Sequence, residues 1–286
     1  MMPRPADTLT TADLTRLFND SYSDYFVPVS LTENAFQAMV ATQDVDLAAS
    51  RVVEHEGMPS AFALLAVRGT RGWIGGMGTR PAARRRGLGK AAMIAALESA
   101  WSRGLVRVEL EVLVENLQAI ALYERLGFVD QRRLEVWERP ASLGPPAPAN
   151  GVSDLIASAM PIPLARCRSL RLAHAGAPLP WQRDLPVMQR LEPTLEILGL
   201  ETDGATCSCI VCRTSPAGVQ ILDMVQAPGQ PHEQLLALAT AMLQKHPGSG
   251  SRMLNLVAGD PVAGVLDALG FVVTHRQREM RVDLET

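Results

Sequence analysis

The sequence predicts an α/β protein made of two domains in tandem, each a mixed central sheet flanked by helices. Three observations predict it. Strand-like and helix-like patterns alternate through the first half of the 286 residues. The segment PASLGPPAPANG at 140–151 holds four prolines and two glycines without apolar periodicity, and reads as a linker. The string LYERLGF at 122–128 returns as VLDALGF at 265–271, which indicates an internal duplication one domain long rather than a solenoid repeat. The expected boundaries are a first domain at 1–140, a linker at 141–153 and a second domain at 154–286.

The elements follow in order. Residues 9–25 are amphipathic and helical, and a second helix over 33–41 follows the N-cap Thr32. Strands are expected at 50–56 and 60–68, parted by the turn signal EGMPS, and a glycine-rich strand at 72–79. A helix over 88–103 stops at Gly104, suited to a left-handed cap. A strand at 106–114, a short helix at 117–126 capped by Gly127, and a strand at 128–137 complete the first domain. The second half repeats the end of this pattern. Strands are expected at 219–225 and 253–258, and helices at 231–245, with Pro231 at the first position, and at 261–269. A last strand follows Gly270.

Composition narrows the function classes. Hydrophobic residues make up 47% of the chain, enough for two cores, and the net charge of −3 marks neither a nucleic-acid binder nor a membrane-surface protein. No apolar run approaches the roughly 18 residues of a spanning helix. The N-terminus lacks an apolar signal region. The four cysteines, Cys167, Cys207, Cys209 and Cys212, are too few and too clustered for a disulfide framework, so a cytoplasmic protein is expected. In a regular strand Cys207 and Cys209 would share one face and Cys212 the other, and His232 and His246 are isolated. Buried small side chains, not a metal site, are the expected reading.

The chemistry centres on Pro81-Ala-Ala-Arg84-Arg85-Arg86-Gly87-Leu88-Gly89-Lys90, between a strand and a helix. Glycines let the backbone approach a ligand, the free amides of the following helix point at an anion, and neighbouring arginines can pair with phosphates. The loop lacks the Gly-Lys-[Ser/Thr] ending of a Walker loop and the GxGxxG spacing of a dinucleotide fold. Downstream lies a second motif with Glu111, Asn116, Tyr123, Gly127 and Phe128.

Together the two motifs resemble the GNAT (Gcn5-related N-acetyltransferase) superfamily. Its phosphate motif, [Gln/Arg]-x-x-Gly-x-[Gly/Ala], is matched by Arg84, Gly87 and Gly89; its later Asn and Leu-Tyr-Glu-x-x-Gly-Phe pattern is matched by Asn116, Tyr123, Gly127 and Phe128. The resemblance implies acetyl-CoA as co-substrate, without a metal. Arg85 to Lys90 would hold the pyrophosphate with Arg84 beside them. The backbone of Met77, Gly78 and Thr79 would pair with the pantetheine arm, and Asn116 would contact that arm or fix its helix. Tyr123 would be the general acid. A phenol near pKa ~10 stays protonated at neutral pH while it donates to a departing thiolate whose thiol lies near ~8.5. Glu111 resembles the glutamate of bacterial ribosomal-protein Nα-acetyltransferases and would be the base, with Glu109 on the same face as the alternative. Tyr22, Tyr25 and Phe26 would border the acceptor pocket or form a packed cluster. The implied reaction is direct acetyl transfer to a primary amine of a small molecule or peptide; the alternative is a non-catalytic acyl-CoA-binding or regulatory protein.

The second half keeps the pattern without the chemistry. Aligning Gly127-Phe128 with Gly270-Phe271 places Leu266 at Tyr123, Gly259 at Asn116 and Leu254 at Glu111, while Pro228 and Pro231 remove amides that a phosphate cradle needs. It resembles a GNAT domain that has kept its fold and lost its site.

Overall fold

The computed structural model describes residues 2–27, 29–147, 151–174, 178–215 and 218–284. It is mixed α/β throughout and falls into two compact units, residues 1–131 with 278–286, and residues 132–277.

The first unit begins with β1 (Arg4–Pro5), α1 (Thr11–Ser21), α2 (Glu33–Thr42), β2 (Arg51–His55), β3 (Met58–Arg68) and β4 (Arg71–Thr79). It continues with α3 (Leu88–Ser102), β5 (Arg107–Leu113) and α4 (Leu117–Arg125), and β6 (Val129–Arg139) leads out of it. α1 is shorter than the expected 9–25. The Thr10 side chain accepts from the Asp13 amide and starts it, and Tyr22 ends it. Thr32 caps α2 as expected, accepting from the Ala35 amide. β1 to β4 form an antiparallel meander, and β5 joins β4 in parallel. On one face α3 and α4 bury Leu88, Ala92, Met93, Ala96, Ile120 and Tyr123 against Leu65, Ile74, Val108 and Leu110.

The last strand of the chain contributes to this core. Met280 is 1% exposed within it, and the Leu284 amide donates to the Val106 carbonyl. The compact first unit is therefore discontinuous in sequence, whereas the expected division at 140 is not.

The second unit contains α5 (Ser153–Ser158), β7 (Met160–Pro161), α6 (Leu164–His174), α7 (Leu185–Leu191), β8 (Leu195–Thr202), β9 (Ala205–Ser215) and β10 (Gly218–Gln226). α8 (Glu233–Lys245), β11 (Ser251–Val257), α9 (Val262–Ala268) and β12 (Val272–Asp283) follow, β12 entering the first unit at Arg278. β7 to β10 are antiparallel neighbours, β11 is parallel to β10, and β6 is antiparallel to β11. Helix α8 starts at Glu233, so Pro231 is not its first residue as expected. Of the expected linker, Ala141–Leu143 form a 3-10 turn and α5 starts at Ser153, while 148–150 lie outside the described residues.

The α4 and α9 ends have the same build. The Phe128 amide donates to the Tyr123 carbonyl and Gly127 to Glu124; Phe271 donates to Leu266 and Gly270 to Asp267. Gly127 and Gly270 have φ of 88° and 82°, which only glycine adopts cheaply. The duplication is thus conformational as well as sequential.

The cysteines depart from expectation. Cys167 on α6 and Cys209 on β9 form a disulfide. The regular alternation fails because the β8–β9 register shifts beside Cys207, between Leu200↔Ser208 and Glu201↔Thr206. That bulge turns Cys207 to the core of Ile210 and Cys212, while Cys209 faces α6 with Val211.

Candidate active site

The site starts from an interrupted ladder. β4 pairs β3 along its length but β5 only from Arg71↔Arg107 to Trp73↔Glu109. Just past that point β4 bulges: Ile74 faces Leu65, Gly76 faces Leu64, and Gly75 is left over. A bulge bends and twists its strand, and here it carries β4 away from β5. Glycine is required at 75, because a Cβ there would run into the indole ring of Trp73. The edge of β4 through Met77, Gly78 and Thr79 is thereby free of β5.

Above that opening sits the basic loop. Arg85 and Gly87 have φ of 60° and 77°, and Gly87 caps α3 without a side-chain hydrogen bond. Among the described residues, no acceptor faces the amides of Arg85, Arg86, Gly87, Leu88, Gly89 or Lys90; the next amide, Ala91, donates to Gly87. Consecutive free amides at the positive end of a 15-residue helix make an anion site. Arg85, Arg86 and Lys90 are exposed beside it and form no ion pair with a described residue. Gly89 packs this turn onto β4. A Cβ at 89 would lie 2.7 Å from Met77 Cε and 2.9 Å from Thr79 Oγ1.

Arg84 stands apart from the other arginines. It donates to both carboxylate oxygens of Asp24, at 2.7 and 2.6 Å, and to the carbonyls of Thr79 and Ser21. Arg80 pairs with Asp20 at 3.2 Å. The two pairs fasten the end of α1 to the end of β4. Arg84 thus ties the loop to the residues that follow α1.

The three tyrosines of the chain are near one another. Tyr123 is 7% exposed on α4, with its ring 5.8 Å from that of Phe128. Burial pushes its phenol above the ordinary value, and Tyr22 and Tyr25 are close enough to push it further. The Tyr22 hydroxyl donates to the Met77 carbonyl at 3.3 Å. Tyr22 lies between Phe18, tilted at 4.6 Å, and Tyr25, edge-on at 5.1 Å, and Tyr25 meets Phe26 edge-on at 5.5 Å. These aromatics form a packed row from the core outward, ending at the exposed Phe26. Asn116 caps α4, accepting from the Ala119 amide at 3.2 Å, and its side chain also reaches Tyr25.

The two carboxylates of β5 differ in environment. Glu109 is paired with Arg71 at 2.9 Å and Arg107 at 3.1 Å. Glu111 accepts from the indole nitrogen of Trp73 at 2.7 Å, across the point where the strands part. Sequence reasoning missed Trp73 and the Asp20 and Asp24 partners. Trp73 had a local signal, the small residue two positions on, but a cross-strand partner is not visible before register is known.

The sequence profile described as Acetyltransferase (GNAT) family matches residues 11–128. Over this stretch the sequence is similar to the GNAT acetyltransferase family. The matched stretch contains the opening, the loop and α4. A mycothiol acetyltransferase of Clavibacter michiganensis is 37% identical over 75 residues, a match spanning 26% of this chain and only 24% of that relative. The fold likeness extends over the whole chain. A GCN5-related N-acetyltransferase from Sphaerobacter thermophilus superposes with a TM-score of 0.74 at 17% identity, covering 100% of this chain and 96% of that one. A tandem GNAT protein from the clavulanic acid biosynthesis pathway does so with 0.67 at 16% identity, covering 100% and 98%. Both units thus share the architecture of tandem GNAT proteins. Among the described residues no helix is long and apolar enough to cross a membrane.

Proposed function

We propose that the first unit is an acetyl-CoA-dependent N-acetyltransferase that passes the acetyl group directly to a primary amine. The observation that carries this reading is the run of unpaired amides from Arg85 to Lys90 at the head of α3, set over the edge of β4 that β5 leaves free. The amides and the exposed Arg85, Arg86 and Lys90 suit a pyrophosphate, and the β4 edge through Met77, Gly78 and Thr79 suits the amide groups of a pantetheine arm.

Catalysis then rests on two proton positions. Tyr123, kept protonated by burial, donates to the departing CoA thiolate. Glu111, oriented by Trp73, takes a proton from the acceptor ammonium, directly or through a water, and so frees the amine lone pair for attack; Glu109, paired with Arg71 and Arg107, is the alternative base. The acetyl C–S bond breaks as the C–N bond forms. Asn116 acts by fixing the start of α4 and hence the position of Tyr123. The aromatic row ending at Phe26, with Glu115 near Tyr25, suits an amine carried on an apolar or aromatic body, a small molecule or a peptide end.

The test is thiol release from acetyl-CoA by the full chain across a panel of small amines and peptides with free N-termini. Release with some amines, and amide product by mass spectrometry, is expected. Tight acetyl-CoA binding without release from any amine would favour a binding or regulatory role instead.

A further inference from the structure

The second unit has an opening of its own, and it is filled from within. β10 and β11 are parallel partners only at Val219↔Ser251, Gln220↔Arg252 and Ile221↔Met253. Immediately afterwards β10 bulges at Leu222, between Ile221↔Cys212 and Asp223↔Val211, and the β11 register against β6 breaks between Met253 and Leu256. This repeats the geometry of β4 and β5, where pairing stops at Trp73 and β4 bulges at Gly75.

Arg183, 2% exposed, lies across the second opening. Its Nε donates to the Leu222 carbonyl at 2.7 Å and its Nη1 to the Asn255 carbonyl at 3.0 Å, one acceptor on each parted strand. Asn255 takes a φ of 54°, uncommon for a residue with a side chain, and its Nδ2 donates to Gln182 Oε1 at 3.1 Å. The next residue of β10, Asp223, is 1% exposed and holds Arg171, which also donates to the Met224 carbonyl. A buried guanidinium is expensive unless its donors are met and a counter-charge is near, and the Leu222 and Asn255 carbonyls and Asp223 supply both. Burial still lowers its pKa to about 10, well above neutral pH, so the plug remains charged.

We propose that Arg183 is an internal plug. It occupies the strand opening of the second unit, satisfies the backbone that a pantetheine arm would otherwise meet, and thereby makes that unit a fixed, cofactor-free copy. Leu266, fully buried at the position of Tyr123, supplies no acid. The inference rests on the reading of the first opening as the pantetheine slot.

Hydrogen exchange on the full chain, with and without acetyl-CoA, tests it. In Arg183→Lys, which keeps the charge but cannot span both carbonyls, amides at 222–225 and 255–257 are expected to exchange at least tenfold faster, with β4 and β5 unchanged. Acetyl-CoA should slow exchange at 77–79 and 85–90, and nowhere on β10 or β11. Unchanged exchange in Arg183→Lys, or acetyl-CoA protection of β10 and β11 in the unaltered chain, would overturn the plug. If the lysine variant does not fold, Gln182→Ala removes only the partner of Asn255 and should loosen 255–257 alone; unaltered exchange there counts against the plug. Absence of acetyl-CoA protection anywhere would defeat the reading of the first unit, while the variants still decide the role of Arg183.

Discussion

The indole nitrogen of Trp73 donates to a carboxylate oxygen of Glu111 at 2.7 Å, from β4 to β5, where the two strands separate. Trp73 is 3% exposed and its ring lies over Gly75, so the donor is fixed. A hydrogen bond to a carboxylate favours its charged form. Replacing Trp73 with Phe removes the donor and keeps most of the bulk. The acid limb of the kcat/KM profile should then move to higher pH by roughly one to two pH units, since a bond to a charged group contributes on the order of 1.5–3 kcal/mol. A steady-state pH profile checks this, and an unmoved limb would show that Glu111 is not the base.

Tyr123→Phe should lower kcat by roughly 10²-fold or more and leave acetyl-CoA affinity nearly unchanged, as expected for loss of a proton donor used only in the transition state. Pre-steady-state thiol release and equilibrium titration separate the two quantities. Weakened binding with an unchanged rate would make the phenol a packing group.

Buried phenols also set a pH limit on stability. Burial raises the folded-state pKa of Tyr123 and of Tyr22. Below the ordinary phenol value of ~10 both states are protonated and nothing changes with pH. Above it the unfolded chain loses protons that the folded chain keeps. Stability should therefore fall with rising pH, by up to ~1.4 kcal/mol per pH unit for each such tyrosine. Urea unfolding between pH 9 and 11, compared in Tyr123→Phe, measures the slope; a slope unaltered by the substitution contradicts the burial argument.

Arg84 ties the end of α1 to the loop through Asp24. Asp24→Asn should loosen the aromatic segment and raise KM for the amine several-fold, with smaller effects on acetyl-CoA. Two-substrate kinetics would show it; an effect confined to acetyl-CoA would assign Arg84 to the cofactor after all.

Met280 is 1% exposed in the core of the first unit although it lies near the end of the sequence. Met280→Ala should cost about 2–5 kcal/mol. Thermal unfolding read from Trp73 and Trp101 fluorescence would report it. A loss confined to the second unit would contradict the division into 1–131 with 278–286.

Much of this was legible in the sequence because it is local. The α4 end is written in Leu-Tyr-Glu-x-x-Gly-Phe, whose glycine supplies the left-handed residue. The loop before α3 announces its free amides through Gly87 and Gly89. What stayed hidden depends on partners distant in the chain. The expectation that Arg84 flanks a phosphate could not foresee Asp24, 60 residues away. The bulges at Gly75, Cys207 and Leu222 shift registers that a simple alternation of faces takes as regular. The Cys167–Cys209 pair joins α6 to β9 across a sequence separation of 42, which no local pattern encodes. The contribution of 278–286 to the first unit is likewise a matter of topology, which no single segment encodes.

Calorimetric titration of acetyl-CoA into the full chain and into Gly89→Asp tests the central claim most directly. An aspartate at 89 places a negative charge among the amides of α3 and meets Met77 and Thr79, so circular dichroism should first establish that the variant is folded. The unaltered chain should bind acetyl-CoA at a single site, and folded Gly89→Asp should show at least a hundredfold weaker binding. Undiminished binding in the folded variant would contradict the assignment of the cofactor to the head of α3.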